Sequence, residues 1–497
     1  MEQQNPTPRV IPRRLKGFRD ILAGDVTLRD QMISRIREVY ERYGFVPLET
    51  PLLEYVDVLG KFLPEADQPD GGIFAFRDED QEWVGLRYDL TAPLSRFVAM
   101  NPQLPLPFRR YQVGPVFRVD KPGPGRYREF FQFDVDSVGT ASMLADAEIC
   151  MVMCDTMESL GIAPGDFLVR VNNRKVLNGV IERVEAMAAL APRADVHILR
   201  TVDKLDRVGL EGVQQLLGPG RKDESGDFTK GVGLSANQID VVMGYLSIQV
   251  NSRSRVCEEL HRLIGGTKIG DEGISELKQI DEGLTSAGYD NDRVSFDPTV
   301  VRGLAYYTGP VFETVLTFKA VDDEGVLRQF GSVSGGGRYD GLVERFTGTK
   351  IPATGASIGV DRLLAALKSL DKVNIAPTTA PVLITRLDPR FLSEYHRMAT
   401  ELRSAGVHTE VYVGTQGIGK QFKYASDSGK TVAIIFGEDE AKAGTVAIKD
   451  LRLGQELSEN IGGDRRKWLE EQPAQIMVPR AQLRETVRGV LARYLIG

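Results

Sequence analysis

The stretch that most restricts this chain is residues 109–136, a long β-hairpin by its pattern. Tyr111-Gln-Val-Gly-Pro-Val-Phe-Arg118 reads as one strand, and Pro122-Gly-Pro-Gly125 breaks it into a turn. A second strand follows with a period of two. Tyr127, Glu129, Phe131, Phe133 and Val135 share one face, mostly apolar. Arg128, Phe130, Gln132, Asp134 and Asp136 share the other. That second face sets an arginine, an aromatic plate, an amide and two carboxylates in one row, with Arg118 arriving from the partner strand. A solvated sheet face and the floor of a polar site both fit such a row. The remaining motifs decide between them.

Histidine supply narrows the chemistry. The 497 residues hold four histidines (His197, His261, His396, His408), none beside a glycine-rich or strongly polar stretch. Multi-histidine metal sites and histidine general-base catalysis are therefore disfavoured, and arginines, carboxylates and bound cations are expected to carry any reaction. Cys150, Cys154 and Cys257 show no metal-ligand spacing and no disulfide framework, which predicts a reducing, cytoplasmic setting. No apolar run approaches membrane-spanning length, and residues 1–20 lack the apolar core of a signal peptide. The net charge of −7 is uneven: the region after Ala376 is close to neutral and the body is acidic, which permits a local polyanion site there.

Along the chain, residues 27–43 read as an amphipathic helix closed by Gly44. A short proline-flanked strand, a hairpin over 73–88 and a helix from Ala92 opened by Asp89-Leu-Thr91 follow. Residues 175–290 are helical and charged, interrupted by a loop at Gly218–Gly226 that is expected to be mobile. Strands return at Val294, and the glycine-rich stretch Gly331–Asp340 is expected to lead into a helix. Ala376-Pro-Thr-Thr-Ala-Pro381 is a linker, and strands alternate with helices after it, predicting a mostly parallel sheet. The expected division is a catalytic core at 1–174 and 291–372, a helical insertion at 175–290, a linker at 373–381 and an α/β domain at 382–497.

One motif misleads. Gly414-Thr-Gln-Gly-Ile-Gly-Lys420 has the outline of a phosphate-binding loop, but Gln421 stands where a magnesium-binding hydroxyl is required. It reads as a turn into a helix, with Lys420 and Lys423 as candidate RNA phosphate contacts. The informative set is distributed. Arg118 and Gly125-Arg-Tyr-Arg-Glu-Phe130 form one part, and Gly355-Ala-Ser-Ile-Gly-Val-Asp-Arg362 another, an arginine opening a helix after a strand. Guanidiniums suit phosphates and Phe130 suits a stacked base.

Together with Lys16-Gly-Phe-Arg-Asp20, Tyr43–Pro51, Leu86-Arg-Tyr-Asp-Leu-Thr91, Val301-Arg-Gly-Leu-Ala-Tyr-Tyr307, Ser334-Gly-Gly-Gly-Arg-Tyr-Asp340 and Gln421–Ala425 with Gly437–Glu440, these motifs resemble the class II aminoacyl-tRNA synthetases, and among them the histidyl-tRNA synthetase family, over nearly the whole chain. The resemblance implies an α+β catalytic core on an antiparallel sheet, a helical insertion and a C-terminal α/β anticodon-binding domain. It also implies ATP with Mg²⁺, histidine, a cognate tRNA and a homodimer.

Residue by residue, Arg118 and Arg362 match the arginines that grip ATP phosphates, Phe130 the adenine-stacking aromatic, and Asp120 a carboxylate near the ATP. Arg302 matches the arginine facing the reacting α-phosphate. Asp89, Thr91 and Gln132 match the groups that hold the substrate ammonium. Asp136 and Tyr307, with Tyr306 and Tyr339 nearby, match those around the imidazole. Lys121 and Arg126, on the loop that meets the tRNA acceptor end, complete the expected contacts. Three departures stand out: Ala305 where the family often has an acidic residue, Tyr88-Asp-Leu90 in place of Pro-Glu-Gly, and a hairpin loop, Lys121-Pro-Gly-Pro-Gly125, without the family's amide. The alternative implied by the same resemblance is a non-catalytic paralogue that regulates an enzyme of histidine biosynthesis.

Overall fold

The computed structural model describes residues 10–60, 62–63, 68–69, 71–121, 127–188, 190–191, 193–222, 226–301, 307–321, 327–329, 331–369, 378–460 and 474–494. Arg126, Arg302, Ala305, Tyr306 and the turn Pro122–Gly125 lie outside the described residues. Two compact units emerge, Met1–Asp20 with Arg29–Val373 and Ile21–Leu28 with Asn374–Gly497.

The first unit is built on eight strands: β1 (Val46–Pro47), β2 (Phe108–Phe117), β3 (Glu129–Val138), β4 (Phe167–Asn173), β5 (Val294–Phe296), β6 (Pro310–Leu316), β7 (Ser334–Arg338) and β8 (Ala353–Gly359). Their order is β1-β2-β3-β8-β7-β6-β4-β5. The outermost pairs, β1–β2 and β4–β5, are parallel, and every pair between them is antiparallel. The long hairpin expected from residues 109–136 is β2–β3, with Arg110 opposite Asp136 and Gln112 opposite Asp134.

The period-two alternation does what it foretold. Phe133 and Val135 are fully buried. Phe133 meets Tyr40 edge-on at 4.9 Å and Tyr111 at 5.8 Å, so the apolar face of β3 packs on the helix Ala23–Arg42. Burying two such aromatics is worth several kcal/mol, which locks the opposite, polar face of the strand in place. That helix ends at Gly44, whose φ of +78° lets the chain reverse so that the Phe45 amide reaches the Tyr40 carbonyl.

Among the described residues, six helices, from Arg174–Met187 to Lys268–Ser286, lie between β4 and β5. The segment expected to be a mobile loop instead carries a two-stranded ribbon, Gly220–Lys222 against Phe228–Lys230. Gly218 and Pro219 stop the preceding helix, and the backbone groups freed there are satisfied by pairing. The glycine-rich stretch also differs from expectation: Ser334–Arg338 is strand β7, and only the short helix Glu344–Thr347 follows it. Its neighbours explain the glycines. A Cβ at Gly336 would stand 2.0 Å from the Gly355 carbonyl oxygen, too close for any other residue.

The second unit holds β9 (Val382–Ile384), β10 (Thr409–Val411), β11 (Val432–Ile435), β12 (Thr445–Asp450) and β13 (Gln475–Pro479), in the order β10-β9-β11-β12-β13. The expected mostly parallel sheet is mixed: β9 is parallel to β10 and β11, while β11–β12 and β12–β13 are antiparallel. The reason is length. Only the six-residue helix Glu438–Ala443 joins β11 to β12, short of the dozen or more residues a parallel crossover takes. Val382, Ile384, Tyr395, Met398, Val432, Ile434 and Val487 form its core. Among the described residues, no helix is long and apolar enough to cross a membrane.

Candidate active site

A cavity of about 600 Å³ opens on the polar face of the first unit's sheet. Of the residues singled out in the sequence it gathers Asp89, Thr91, Arg118, Asp120, Phe130, Gln132, Tyr307 and Arg362. Strand alternation delivers Phe130, Gln132 and Asp134 to its floor. Opposite β3, Ser357 of β8 and Gly335 of β7 lie level with Asp134 and also line the cavity.

The mouth is cationic and partly open. The Arg118 guanidinium lies over the Phe130 ring, 5.2 Å from its centre, and its Nε donates to the Tyr88 carbonyl at 3.0 Å. Arg362 Nη1 donates to the Ser332 carbonyl at 2.8 Å. Each arginine is thus oriented by a backbone carbonyl while its planar head lines the cavity, a geometry suited to an anion. Asp361, beside Arg362, accepts from the Phe131 amide at 2.7 Å and pairs with Arg19. Arg19 in turn lies over the Tyr127 ring at 3.7 Å. This clasp fixes the start of the Arg362 helix to the end of β3. Asp120 is exposed at the rim.

The floor is anionic and dry. Burial pushes the carboxyls of Asp89, Asp134 and Asp136 upward, that of Asp134 to about 7. Arg110, fully buried, opposes the shift of Asp134 and Asp136 and pairs with Asp136 Oδ2 at 2.9 Å. Asp89 accepts from the Ala92 amide at 2.9 Å, so it caps the helix Thr91–Met100 as well as lining the cavity. Gln132 Nε2 donates to the Ser357 hydroxyl at 2.8 Å, and Ser357 donates to Asp134.

Two expected site residues stand behind the wall. Asp136 and Tyr339 are buried and do not line the cavity; the Tyr339 hydroxyl donates to Asp136 Oδ1. Gly355 lies flat against that carboxylate, where a Cβ would come within 2.1 Å of Oδ1. Asp136 Oδ1 is thereby held by protein groups, whereas no hydrogen bond among the described residues reaches Oδ2, beside Arg110. Lys121, four residues beyond the end of β2, is exposed. Sequence reasoning missed Arg110, Asp134, Ser357 and Asp361. Asp134 was on the polar row already. Arg110 carried a signal too, since the hairpin register sets it opposite Asp136.

In the second unit the phosphate-loop outline is structural. Gln421 is buried; its amide accepts from the Arg386 amide at 2.8 Å and donates to the carbonyls of Arg386 and Gln416 at 2.7 and 2.8 Å. Lys420 and Lys423 line a separate open depression with Gln416, Tyr424, Asp427 and Ser428.

A cavity with a guanidinium mouth, a base-sized aromatic and a carboxylate floor suits an amino acid activated by a nucleotide. Comparison with known proteins agrees. The family model described as Histidyl-tRNA synthetase matches residues 17–363, and Anticodon binding domain matches residues 372–463. The chain belongs to the histidyl-tRNA synthetase family. The histidine–tRNA ligase of Rhizobium meliloti (strain 1021) is 51% identical over 495 residues, covering 99% of this chain and 98% of that protein. That of Cereibacter sphaeroides is 51% identical over 483 residues, covering 96% of this chain and 97% of that protein. Among solved structures, the histidyl-tRNA synthetase from Nostoc sp. PCC 7120 superposes with a TM-score of 0.74 at 28% identity, covering 97% of this chain and 99% of that one.

Proposed function

We propose that this chain is a histidine–tRNA ligase. It joins histidine and ATP to histidyl-adenylate and pyrophosphate, then passes histidine to the 3′-terminal adenosine of tRNA(His). The observation that carries this reading is the meeting of Arg118, Phe130 and Arg362 with Asp89, Thr91, Gln132 and Tyr307 around one cavity.

In the first step the histidine carboxylate attacks the α-phosphate while pyrophosphate leaves, so two anions must approach. Arg118 and Arg302 would neutralise them, and Arg362 would hold the departing phosphates; positioning and charge suffice, without a proton shuttle. Phe130 would stack the adenine beneath Arg118. Asp89, Thr91 and Gln132 would hold the ammonium. Tyr307, with Tyr306, would lie along the imidazole, and Asp136 with Tyr339 would support that end from behind. The role of Arg302 rests on the resemblance of Val301–Tyr307.

Mg²⁺ would accompany the ATP phosphates and share their charge. Among the described residues, no three metal-ligating side chains gather into a cage. Mg²⁺ prefers phosphate and water oxygens with one or two carboxylates, a requirement that Asp120 at the rim fits. Lys121 and Arg126 on the hairpin loop, and Lys420 and Lys423 in the second unit, would meet tRNA phosphates. A homodimer is supported by β1, an edge strand that among the described residues pairs with β2 alone, and by exposed Val46, Leu52, Leu53 and Tyr55 around it. A cytoplasmic setting is supported by three free buried cysteines.

The deciding experiment is exchange of labelled pyrophosphate into ATP. Exchange that depends on histidine is expected. Its absence, with the protein folded, would favour the non-catalytic regulator.

A further inference from the structure

The chain leaves the catalytic sheet for the helical insertion at three consecutive residues, Asn172, Asn173 and Arg174. Both asparagines are buried, and a buried amide is costly unless its polar groups are bonded. Asn172 Nδ2 donates to the Val300 carbonyl at 2.9 Å and to the Tyr245 hydroxyl at 2.8 Å, with the Pro298 carbonyl at 3.1 Å. Its Oδ1 accepts from the Asn173 amide at 2.8 Å. Asn173 caps the first insertion helix by accepting from the Lys175 amide at 2.9 Å, and it donates to Glu276 Oε2 at 2.7 Å. The Arg174 amide donates to the Gly309 carbonyl at 2.8 Å.

These bonds fall on the two flanks of one stretch, Val301–Tyr307. At its entry Asp297 accepts from the Thr299 amide and hydroxyl at 2.9 and 2.6 Å, and the Val300 amide donates to the Asp297 carbonyl at 3.1 Å. Arg170 Nη1 pairs with the same aspartate at 3.2 Å. The turn so formed presents its Pro298 and Val300 carbonyls to Asn172. At the exit the Thr308 amide donates to the Arg338 carbonyl at 2.8 Å, and Pro310 and Val311 pair with Asn173 and Asn172 in the sheet. Arg302 comes two residues after Val300 in the chain, and Tyr307 lines the cavity. The residues that begin the insertion are therefore the ones that hold both flanks of this stretch.

We propose that the insertion takes part in histidine activation as a positioning element: Tyr245 holds the Asn172 amide, and Asn172 sets the entry to the stretch that carries Arg302. This inference rests on the ligase reading. Tyr245 belongs to the insertion helix Ala236–Leu246 and is fully buried, so its hydroxyl depends on protein partners such as Asn172. An amide suits the junction, since one nitrogen supplies two N–H groups while the oxygen is taken by backbone. Neither Asn172 nor Tyr245 lines the cavity, so any effect on the reaction must pass through the backbone that Asn172 holds.

The proposed reaction depends on alignment, and a misplacement of about 1 Å can cost about a hundredfold in rate. Loss of the Asn172 amide frees two carbonyls at the entry, while the turn keeps its own bonds within Asp297–Val300 and the sheet keeps its register. The entry loosens and the binding residues of the cavity stay in place. A group that served only the fold would lower the melting temperature and leave the rate of each folded molecule alone.

The test is histidine-dependent pyrophosphate exchange by full-length wild type, Asn172→Ala, Tyr245→Phe and the double variant, with melting followed alongside. Asn172→Ala is expected to lower kcat by about thirtyfold to a hundredfold, with KM for ATP and for histidine within about threefold of wild type. Tyr245→Phe loses one hydroxyl and should lower kcat by about fivefold, the value of one hydrogen bond. The double variant should be no slower than Asn172→Ala, because Tyr245 acts through that amide. An unchanged kcat in Tyr245→Phe overturns the proposal, as does a double variant slowed by the product of the two single effects. So does a change confined to KM or to melting. Should Asn172→Ala not fold, Tyr245→Phe against the wild type decides: kcat lowered at constant KM supports the proposal, and kcat unchanged overturns it. Failure of the wild type to exchange at all would strike the ligase reading instead.

Discussion

The two ends of the cavity solve opposite problems with similar side chains. At the floor, Asp134, Asp136 and Arg110 are buried and Asp89 is half-buried; Arg110 pairs with Asp136, and Asp89 caps a helix. At the mouth, Arg118 and Arg362 each donate to a backbone carbonyl and line the cavity. A buried, polar floor reads hydrogen bonds strictly, because a mismatched ligand leaves a buried polar group unpaired. A wet mouth tolerates the motion of a polyphosphate and of the leaving pyrophosphate. On the proposed function, selectivity for the amino acid and catalytic charge would thereby be separated within a single cavity.

The largest effect should come from Arg302, whose role rests on the resemblance of Val301–Tyr307. Arg302→Ala is expected to lower the exchange rate by about 10³-fold or more, since it removes a cation matched to charge developed in the transition state, with melting unchanged. An exchange rate like that of the wild type would sink the role. At the floor, Arg110→Met should be the more damaging to stability, at about 3–5 kcal/mol, because it leaves two buried carboxylates, Asp134 and Asp136, without their cation. Chemical denaturation measures this, and an unaltered midpoint would show that the floor is not held electrostatically. At the mouth, Arg362→Ala should raise KM for ATP by about tenfold to a hundredfold, the value of one charge-assisted contact, and leave KM for histidine in place. A matching rise for histidine would break the separation of the two ends.

The halves of the site also differ in how far they could be read in the sequence. The hairpin and its two faces were legible because period-two alternation is local: Phe131, Phe133 and Val135 against Phe130, Gln132 and Asp134. The mouth was legible because Arg118, Phe130 and Arg362 sit in recognisable motifs. The floor was not. Whether Asp136 faces a ligand depends on Gly355 and Tyr339, more than 200 residues away, and on Arg110 across the strand. No pattern within β3 distinguishes Asp134 from Asp136. In the second unit, β13 was missed because it is a largely exposed edge strand ending in a proline, so its side chains show no burial period. The antiparallel turn of β11 into β12 was missed because a six-residue helix looks like a crossover until its length is weighed.

The smallest effect makes the finest cut. Tyr339→Phe deletes a single hydroxyl that donates to Asp136 and touches no cavity surface. Asp136 keeps Arg110, so the fold should hold. The loss is one hydrogen bond to a carboxylate that is partly compensated, on the order of 1 kcal/mol, or about fivefold in affinity. If the floor acts as one rigid unit, that fivefold should appear in KM for histidine, and neither KM for ATP nor the pyrophosphate dependence should move. An effect on ATP of the same size would mean that Asp136 is felt at the mouth through β3 itself. The hydroxyl is far enough from the arginines that only a displaced strand could carry such a signal, so Tyr339→Phe reports whether the two ends are mechanically as well as chemically distinct.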